Sequence, residues 1–135
     1  MTVTNTPDVL SECTADLAMT LMLMTARRAG EGERLVRAGQ WTGWQPTQML
    51  GMHFSGKTVG IIGMGRIGQA IAARCRLGFG CRIVFANRSA KAVDGAEQLS
   101  SPEAVAKEAD VVVIATPGGA ETRHLSGATV LRAMQ

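Results

Sequence analysis

The sequence has few aromatic residues and few cysteines. Its 135 residues include no Tyr, three Phe and two Trp, and its three cysteines show no CxxC spacing. Cysteines that are odd in number and lack paired spacing argue against both a disulfide framework and a zinc site. We therefore expect reduced thiols, a cytoplasmic protein and no bound metal.

Long apolar runs and concentrated charge are also lacking. The longest apolar run, residues 17–26, is too short to span a bilayer, and acidic residues precede it where a signal peptide would carry positive charge. The net charge of +3 is spread along the chain, and arginines interleaved with apolar residues are typical of solvated helix faces. We therefore predict neither a membrane nor a nucleic acid as a partner, and the length suits one modest domain.

The N-terminal segment is predicted to be a long helix. Residues 6–8 (TPD) form a suitable start, because Pro is tolerated at the first helical position and an acid there meets the positive end of the helix dipole. The helical pattern continues to about Ala29. Leu17, Leu21 and Met24 fall on one stripe of a mostly apolar circumference, so we expect this helix to be packed.

A second helical stretch and an arm follow the long helix. Residues 33–38 resume the helical pattern after two weakening glycines, and Gly39 is predicted to end it. Residues 40–55 are rich in Gly, Pro and polar side chains, which indicates a linking arm. This arm carries Trp41 and Trp44, which need burial either on their own domain or against a second subunit.

From Lys57 onward the sequence alternates between strand and helix patterns. The predicted strands are residues 58–62, 82–86, a short 96–99, and the continuous apolar run 110–115. The predicted helices are residues 67 to about 76, a stretch capped by Ser100 or Ser101 that runs through residue 108, and residues 127–134. This order predicts an α/β fold with a doubly wound parallel sheet.

A glycine-rich loop joins the first strand of this unit to its first helix. Gly63, Gly65 and Gly68 form the pattern GMGRIG. The first would allow a tight turn, the second would let the backbone approach a pyrophosphate, and the third would let helix and strand pack closely. The N–H groups of Arg66 and Ile67 would then face the phosphates at the helix N-terminus. We interpret the loop as the dinucleotide site of a Rossmann fold, the alternative being glycines that serve only as a turn.

The end of the second strand predicts which dinucleotide is bound. An acidic side chain there would grip the ribose hydroxyls of NAD, but the residues are Asn87, Arg88 and Ser89. This segment has no carboxylate that would repel the 2′-phosphate of NADP, and Arg88 could pair with that phosphate, so we predict NADP ahead of NAD. The alternative is that Arg88 is simply a solvated surface arginine. Thr116 and Pro117 close the last apolar strand and should lie beside the cofactor, although Thr-Pro-Gly-Gly is also simply a good turn.

The residues as a set resemble the D-isomer-specific 2-hydroxyacid dehydrogenases, and within them the glyoxylate and hydroxypyruvate reductases. The segments that carry the resemblance are residues 3–7, 14–17, Trp41, Gly51, residues 57–68, Asn87 with Arg88, residues 110–117 and residues 121–125. The resemblance implies hydride transfer from NAD(P)H to a 2-keto acid. It also implies a cofactor domain inserted between two parts of a substrate domain, and a homodimer whose contact region includes the long helix and the arm.

Carried across by position, the resemblance also assigns the cofactor contacts. The assigned residues are Arg66 and Ile67 for the pyrophosphate, Asn87, Arg88 and Ser89 for the ribose or 2′-phosphate, and Thr116 for a further contact. The resemblance divides the chain into an interdomain or dimerisation helix with its arm, residues 1–56, and a partial dinucleotide-binding domain, residues 57–135.

The catalytic residues of the family are not matched. Its carboxylate-binding arginine, its proton-exchanging histidine and the supporting glutamate would lie downstream of this sequence, and much of the substrate domain would precede it. His53 and His124 have no acidic partner in a recognisable motif, and Arg123 does not correspond to the carboxylate-binding arginine, so none is assigned to catalysis. We expect a fragment or truncated reading frame of a longer enzyme, inactive by itself and with an uncovered edge at its last strand.

Two alternatives remain open. A noncatalytic dinucleotide-binding sensor or association module would share the glycine loop. A dehydrogenase of another Rossmann family would share it too, although the matches at residues 3–7 and 121–125 argue against that family.

Overall fold

A computed structural model describes residues 2–4 and 9–134. The helices are α1 (Ser11–Ala26), α2 (Ala29–Arg37), α3 (Arg66–Phe79), α4 (Pro102–Glu108) and α5 (Ala128–Ala133). The strands are β1 (Thr58–Ile62), β2 (Arg82–Ala86), β3 (Ala96–Gln98) and β4 (Val111–Ile114). A 3₁₀ turn, Ala120–Thr122, lies between β4 and α5.

The strands form a parallel sheet in the order β3-β2-β1-β4. On the central strand β1, Ile61 pairs with Phe85 of β2 and with Val113 of β4. The chain moves outward from β1 to β3 and then crosses back to place β4 on the other side, which is the doubly wound order. The predicted α/β class with a parallel sheet is confirmed. The carboxyl ends of the strands share one edge of the sheet, where the glycine loop follows β1.

Helices cover both faces of the sheet. On one face, Ile61 and Phe85 are buried in a core that includes residues of α1 and α3. On the other face, Ile62 and Val84 pack in a separate core with Val105 of α4. Neighbouring strand residues point to opposite faces, and both faces are covered here, so the strands are apolar without interruption.

The N-terminal helix is shorter than predicted. Its predicted start at residues 6–8 lies outside the described residues, and α1 ends at Ala26, earlier than the pattern indicates. Arg28 then adopts a φ of 55°, in the left-handed region, and α2 begins directly after it. The break therefore precedes Gly30 and Gly32, which lie inside α2 without interrupting it.

Only one side of α1 is buried. Ala15 and Met19 join the core that α1 shares with α3 and the sheet. Leu17, Leu21 and Met24 are instead 59%, 55% and 45% exposed. Within the described chain this stripe is therefore not packed, because α1 meets the rest of the chain along one side while its apolar residues extend around most of its circumference.

The arm leaves its tryptophans exposed but is fixed to the end of α1. Trp41 is 54% and Trp44 is 80% exposed, so packing on their own domain leaves more than half of each residue accessible. Met52 donates its N–H to the carbonyl oxygen of Ala26 at 2.8 Å. An added Cβ at Gly51 would lie 2.2 Å from the same oxygen, so glycine at this position permits the arm to cross the end of α1.

The remaining elements follow the prediction with small shifts. Helix α3 continues to Phe79, beyond the predicted end, and α4 is capped by Ser101, whose Oγ accepts the N–H of Ala104 at 3.2 Å. Within the described residues β4 is the outer strand on its side, and its Ile114 is 57% exposed. No helix in the described ranges is both long enough and apolar enough to cross a membrane.

Candidate cofactor site

The glycine loop between β1 and α3 is tightly packed at both ends. Gly63 has a φ of 98°, and an added Cβ would lie 2.8 Å from the carbonyl oxygen of Ala115. Gly68 lies in the first turn of α3, where an added Cβ would lie 2.4 Å from the carbonyl oxygen of Gly63 and 3.3 Å from Ile61 Cγ2. A side chain would be strained at the first position and would push α3 away from β1 at the second. These are the tight turn and the close helix–strand packing predicted for the two glycines.

The middle of the glycine loop is open. Gly65 is exposed, and an added Cβ there would meet no atom within 4 Å. The Gln69 N–H donates to the Gly65 carbonyl oxygen at 3.0 Å, which begins the hydrogen-bond ladder of α3. The N–H groups of Arg66 and Ile67 precede this bond and lie at the positive end of a 14-residue helix. An open glycine at such a helix mouth fits a pyrophosphate group.

The loop after β2 is hydrogen-bonded to the glycine loop. Asn87 Oδ1 accepts the N–H of the buried Met64 at 3.3 Å, and Asn87 Nδ2 donates to the Ser89 carbonyl oxygen at 3.1 Å. Lys91 Nζ donates to the Met64 carbonyl oxygen at 2.9 Å. The backbone of Met64 is therefore tied to this loop through both its N–H and its carbonyl group. The contacts fix the residues predicted to read the ribose beside those predicted to hold the pyrophosphate.

Gln98, at the end of β3, organises the loop from the other side. Its Nε2 donates to the carbonyl oxygens of Asn87 at 3.3 Å and Ser89 at 3.2 Å, and its Oε1 accepts the Lys91 N–H at 2.8 Å. Sequence reasoning identified neither Gln98 nor Lys91. Lys91 could have been found from the sequence, because it is a cation three positions after Arg88 in a loop predicted to contact a phosphate. The sequence carried no comparable signal for Gln98.

Arg88 projects from this loop into solvent. Its side chain is 88% exposed, and its Nη1 lies 2.6 Å from Oε2 of Glu121, which is 81% exposed. Lys91 lies on the same loop, so two cations stand near the end of β2. The guanidinium is accessible to a ligand, and its partner in the described chain is a carboxylate that follows β4.

Thr116 and Pro117 lie on the β4 side of the glycine loop. An added Cβ at Gly63 would lie 2.8 Å from Thr116 Cγ2, which places Thr116 directly against the loop. Pro117 is exposed, and its carbonyl oxygen accepts a hydrogen bond from Thr122 Oγ1 at 2.7 Å. The segments that follow β1, β2 and β4 thus meet at one edge of the sheet, where ligands bind in doubly wound folds.

The histidines do not join this group of residues. His53 is exposed on the arm, and His124 is exposed after the 3₁₀ turn with a φ of 60°. Arg123 is also exposed. Across residues 2–4 and 9–134, no three His, Cys, Asp or Glu side chains lie close enough together to hold a metal ion.

Two ionisable groups with shifted pKa values have roles in the fold. Burial, with a smaller contribution from Cys81, raises the pKa of Cys75 to about 12 on the core face of α3. The Thr58 N–H, 2.8 Å from Asp110 Oδ2, is the main cause of a lowered pKa of Asp110, and Lys57 adds to it. Asp110 lies just before β4, at the amino edge of the sheet. Both groups therefore lie outside the candidate site at the carboxyl edge of the sheet.

Comparison with known proteins identifies the family. Residues 19–135 match the family model for the NAD binding domain of the D-isomer specific 2-hydroxyacid dehydrogenases. The chain belongs to this dehydrogenase family. The glycine loop, the loop after β2 and the end of β4 all lie inside the matched residues.

Individual relatives are similar to this chain in sequence and in fold. A glyoxylate reductase of Thermococcus gammatolerans is 46% identical over 98% of this chain and 42% of its own length. The TT0316 protein of Thermus thermophilus has a TM-score of 0.92 at 47% identity, over 98% of this chain and 42% of that one. An NADPH-dependent glyoxylate/hydroxypyruvate reductase of Sinorhizobium meliloti, in complex with NADP and malonate, has a TM-score of 0.87 at 37% identity. The match covers 98% of this chain and 41% of that one. The chain spans about 42% of the length of the curated relatives it matches.

Proposed function

We propose that this dehydrogenase chain binds NADP at the glycine loop and forms the cofactor-binding part of an enzyme that reduces 2-keto acids to D-2-hydroxy acids. The observation that carries the proposal is the open backbone of Gly65 at the N-terminus of α3. On either side of it, a side chain at position 63 or 68 would clash with neighbouring backbone atoms. The backbone N–H groups of Arg66 and Ile67 would bind the pyrophosphate.

The proposed preference for NADP rests on the loop after β2. Arg88 and Ser89 would contact the 2′-phosphate, Lys91 would add a second positive charge, and Asn87 would position the loop. A charge-assisted bond to such a phosphate contributes about 1.5–3 kcal/mol, or roughly a ten- to hundredfold preference. The Sinorhizobium meliloti relative is NADPH-dependent and holds NADP, which supports the same preference here. From the β4 side, Thr116 with the adjoining proline would complete the contact with the cofactor.

The proposed substrates are small 2-keto acids such as glyoxylate and hydroxypyruvate, following the names of the relatives. Bound NADPH would supply the hydride, and the residues of this chain would hold and orient the dinucleotide. His53 and His124 are exposed and lie outside the cofactor edge. We assign proton transfer to neither of them, and we propose that this chain alone does not catalyse the reduction of a 2-keto acid.

The proposal also covers association between two copies. Residues 1–56 would form the interdomain and dimerisation segment, and residues 57–135 the cofactor domain. Large apolar side chains are exposed on the N-terminal segment, namely Leu17, Leu21, Val36, Trp41 and Trp44. Exposed apolar groups in such number are typical of an association surface. Sedimentation at increasing protein concentration should give a dimer, whereas a persistent monomer would contradict this part of the proposal.

Calorimetric titration with NADP⁺ and NAD⁺ tests the cofactor assignment. The Arg88→Ala variant should lose about ten- to hundredfold in NADP⁺ affinity while NAD⁺ affinity stays the same, because NAD has no 2′-phosphate. Arg132→Ala, which removes an exposed arginine from α5, is the matched control and should change neither affinity. An unchanged affinity ratio in Arg88→Ala would end the NADP assignment. A wild-type chain that binds neither dinucleotide would end the whole proposal.

Oxidation of NADPH in the presence of glyoxylate or hydroxypyruvate tests the catalytic part. This chain alone should show no turnover, and measurable turnover would contradict the proposal. A longer form of the protein that binds NADPH but reduces neither compound would favour a noncatalytic dinucleotide sensor.

A further inference from the structure

An ion pair joins the two segments that flank the glycine loop. Arg88 Nη1 lies 2.6 Å from Glu121 Oε2. Arg88 follows β2 and Glu121 follows β4, and these two strands lie on either side of β1 in the sheet. The cation that we propose for the 2′-phosphate is thus already paired with an anion of the chain.

The position of Glu121 is set by the turn that carries it. Thr122, the next residue, donates from Oγ1 to the carbonyl oxygens of Pro117 at 2.7 Å and Gly119 at 3.3 Å. These bonds tie the 3₁₀ turn to the segment that leaves β4. The carboxylate is therefore presented to Arg88 by the same segment that borders the glycine loop.

The backbone around Arg88 is also fixed, while its side chain is accessible. Asn87 is bonded to Met64 of the glycine loop, and Gln98 is bonded to the carbonyl oxygens on both sides of Arg88, those of Asn87 and Ser89. The guanidinium itself is 88% exposed and the Glu121 carboxylate is 81% exposed. Arg88 can therefore change partners by side-chain rotation, without movement of the loop.

A 2′-phosphate and Glu121 would require the same guanidinium. A phosphate monoester carries a charge of about −1.5 to −2, and to pair with Arg88 it would have to take the guanidinium from the carboxylate that Arg88 already holds. Part of the interaction of Arg88 with the phosphate is thus offset by the loss of its pair with Glu121. NAD carries no 2′-phosphate and leaves the pair intact.

We propose that Glu121 is a specificity-determining residue that competes with the 2′-phosphate for Arg88 and so weakens the preference of the site for NADP over NAD. The inference rests on the proposed NADP function. Exposed ion pairs are weak, so removal of the carboxylate should raise NADP affinity by about two- to fivefold. This effect is smaller than, and opposite in sign to, the effect of removing Arg88.

The Glu121→Gln variant of the 135-residue chain tests the inference by calorimetric titration with NADP⁺, NAD⁺ and adenosine 2′,5′-bisphosphate. Affinity for NADP⁺ and for the bisphosphate should rise by about two- to fivefold, and affinity for NAD⁺ should stay the same. Glu108→Gln is the matched control, because Glu108 pairs with Arg82 at 2.8 Å near the opposite edge of the sheet. This control should change none of the affinities, and thermal unfolding should show both variants folded.

Two further measurements separate competition for Arg88 from a general effect of charge. In the Arg88→Ala background, Glu121→Gln should give no further gain in NADP⁺ affinity. In the wild-type background, the gain should shrink as the salt concentration rises, because exposed charges are screened.

The outcomes distinguish this inference from the proposed function. Equal gains for NADP⁺ and NAD⁺ would overturn it, since the carboxylate would then obstruct the adenosine end of either cofactor. A gain that persists without Arg88 would overturn it as well. If Arg88→Ala lowers NADP⁺ affinity but Glu121→Gln leaves it unchanged, only the role of Glu121 fails. If Arg88→Ala leaves the affinity ratio unchanged, the proposed NADP function fails with it.

Discussion

The carboxyl edge of the sheet and the outer side of α1 are two surfaces of opposite character. At the sheet edge, polar side chains bond to one another and to the glycine loop, as Asn87 and Lys91 do with Met64. On the outer side of α1, Leu17 and Leu21 are more than half exposed. The first surface is organised by contacts within the chain, and the second has its apolar side chains turned outward.

This difference separates two kinds of evidence about function. Gly63 and Gly68 are explained by contacts inside the described chain, because a side chain at either position would meet backbone atoms. The exposed leucines of α1 are not explained by any such contact among the described residues. A ligand site can therefore be argued from the first surface by itself, whereas no contact among the described residues accounts for the second.

The largest effect is expected from a change that breaks the cofactor edge. Gly68→Ala should destabilise the fold by about 3 kcal/mol and abolish dinucleotide binding, because its Cβ would lie 2.4 Å from the Gly63 carbonyl oxygen. The free energy of unfolding in urea and a titration with NADP⁺ measure the two effects.

The control for Gly68 lies in the same helix. Gly78→Ala adds a Cβ that meets no atom within 4 Å, so it should stabilise α3 by up to about 1 kcal/mol and leave binding intact. Equal behaviour of the two variants would show that the packing of α3 against β1 is not what requires glycine at position 68.

A second pair of variants compares the two sides of α1. Met19→Ala should cost about 2–3 kcal/mol, because Met19 is 8% exposed and its loss leaves a cavity against α3. Leu21→Ala should cost less than about 0.5 kcal/mol in dilute protein, because Leu21 is 55% exposed. Chemical unfolding measures both. A cost for Leu21→Ala that grows with protein concentration would show that this side is covered by a second copy.

A smaller effect is expected at the opposite edge of the sheet, where Asp110 accepts the Thr58 N–H. The lowered pKa of Asp110 means that its ionised form stabilises the fold above the ordinary carboxyl pKa of about 3.9, and that this stability is lost as the pH falls through the lowered value. Its side chain is 36% exposed, so Asp110→Asn should cost only about 1 kcal/mol near neutral pH. Unfolding from pH 7 to pH 2 should show the variant and wild type converging under acid, with cofactor affinity at pH 7 unchanged. A constant difference across this range would contradict the assignment.

Local rules were sufficient to predict the sheet and the glycine loop. The loop pattern, the apolar strands and the Ser101 cap each depend on residues close together in sequence. The buried side of α1 could not be predicted in the same way, because apolar residues surround most of that helix and periodicity does not select among them.

The contacts that complete the candidate site are not local. Arg88 and Glu121 are separated by 33 positions, and Lys91 reaches a carbonyl group 27 positions away. Their pairing depends on the order of the strands, since β2 and β4 become neighbours of β1 only when the sheet forms. The sequence therefore predicted Arg88 as a phosphate contact without revealing the carboxylate beside it.

Backbone amide chemical shifts recorded during titration with NADP⁺ test the central claim most directly. Binding at the mouth of α3 should produce the largest shifts at residues 63–69 and at Arg88, while the amides of Leu17 and Leu21 stay unchanged. Saturable binding that leaves residues 63–69 unshifted would contradict the claim that this glycine loop holds the dinucleotide.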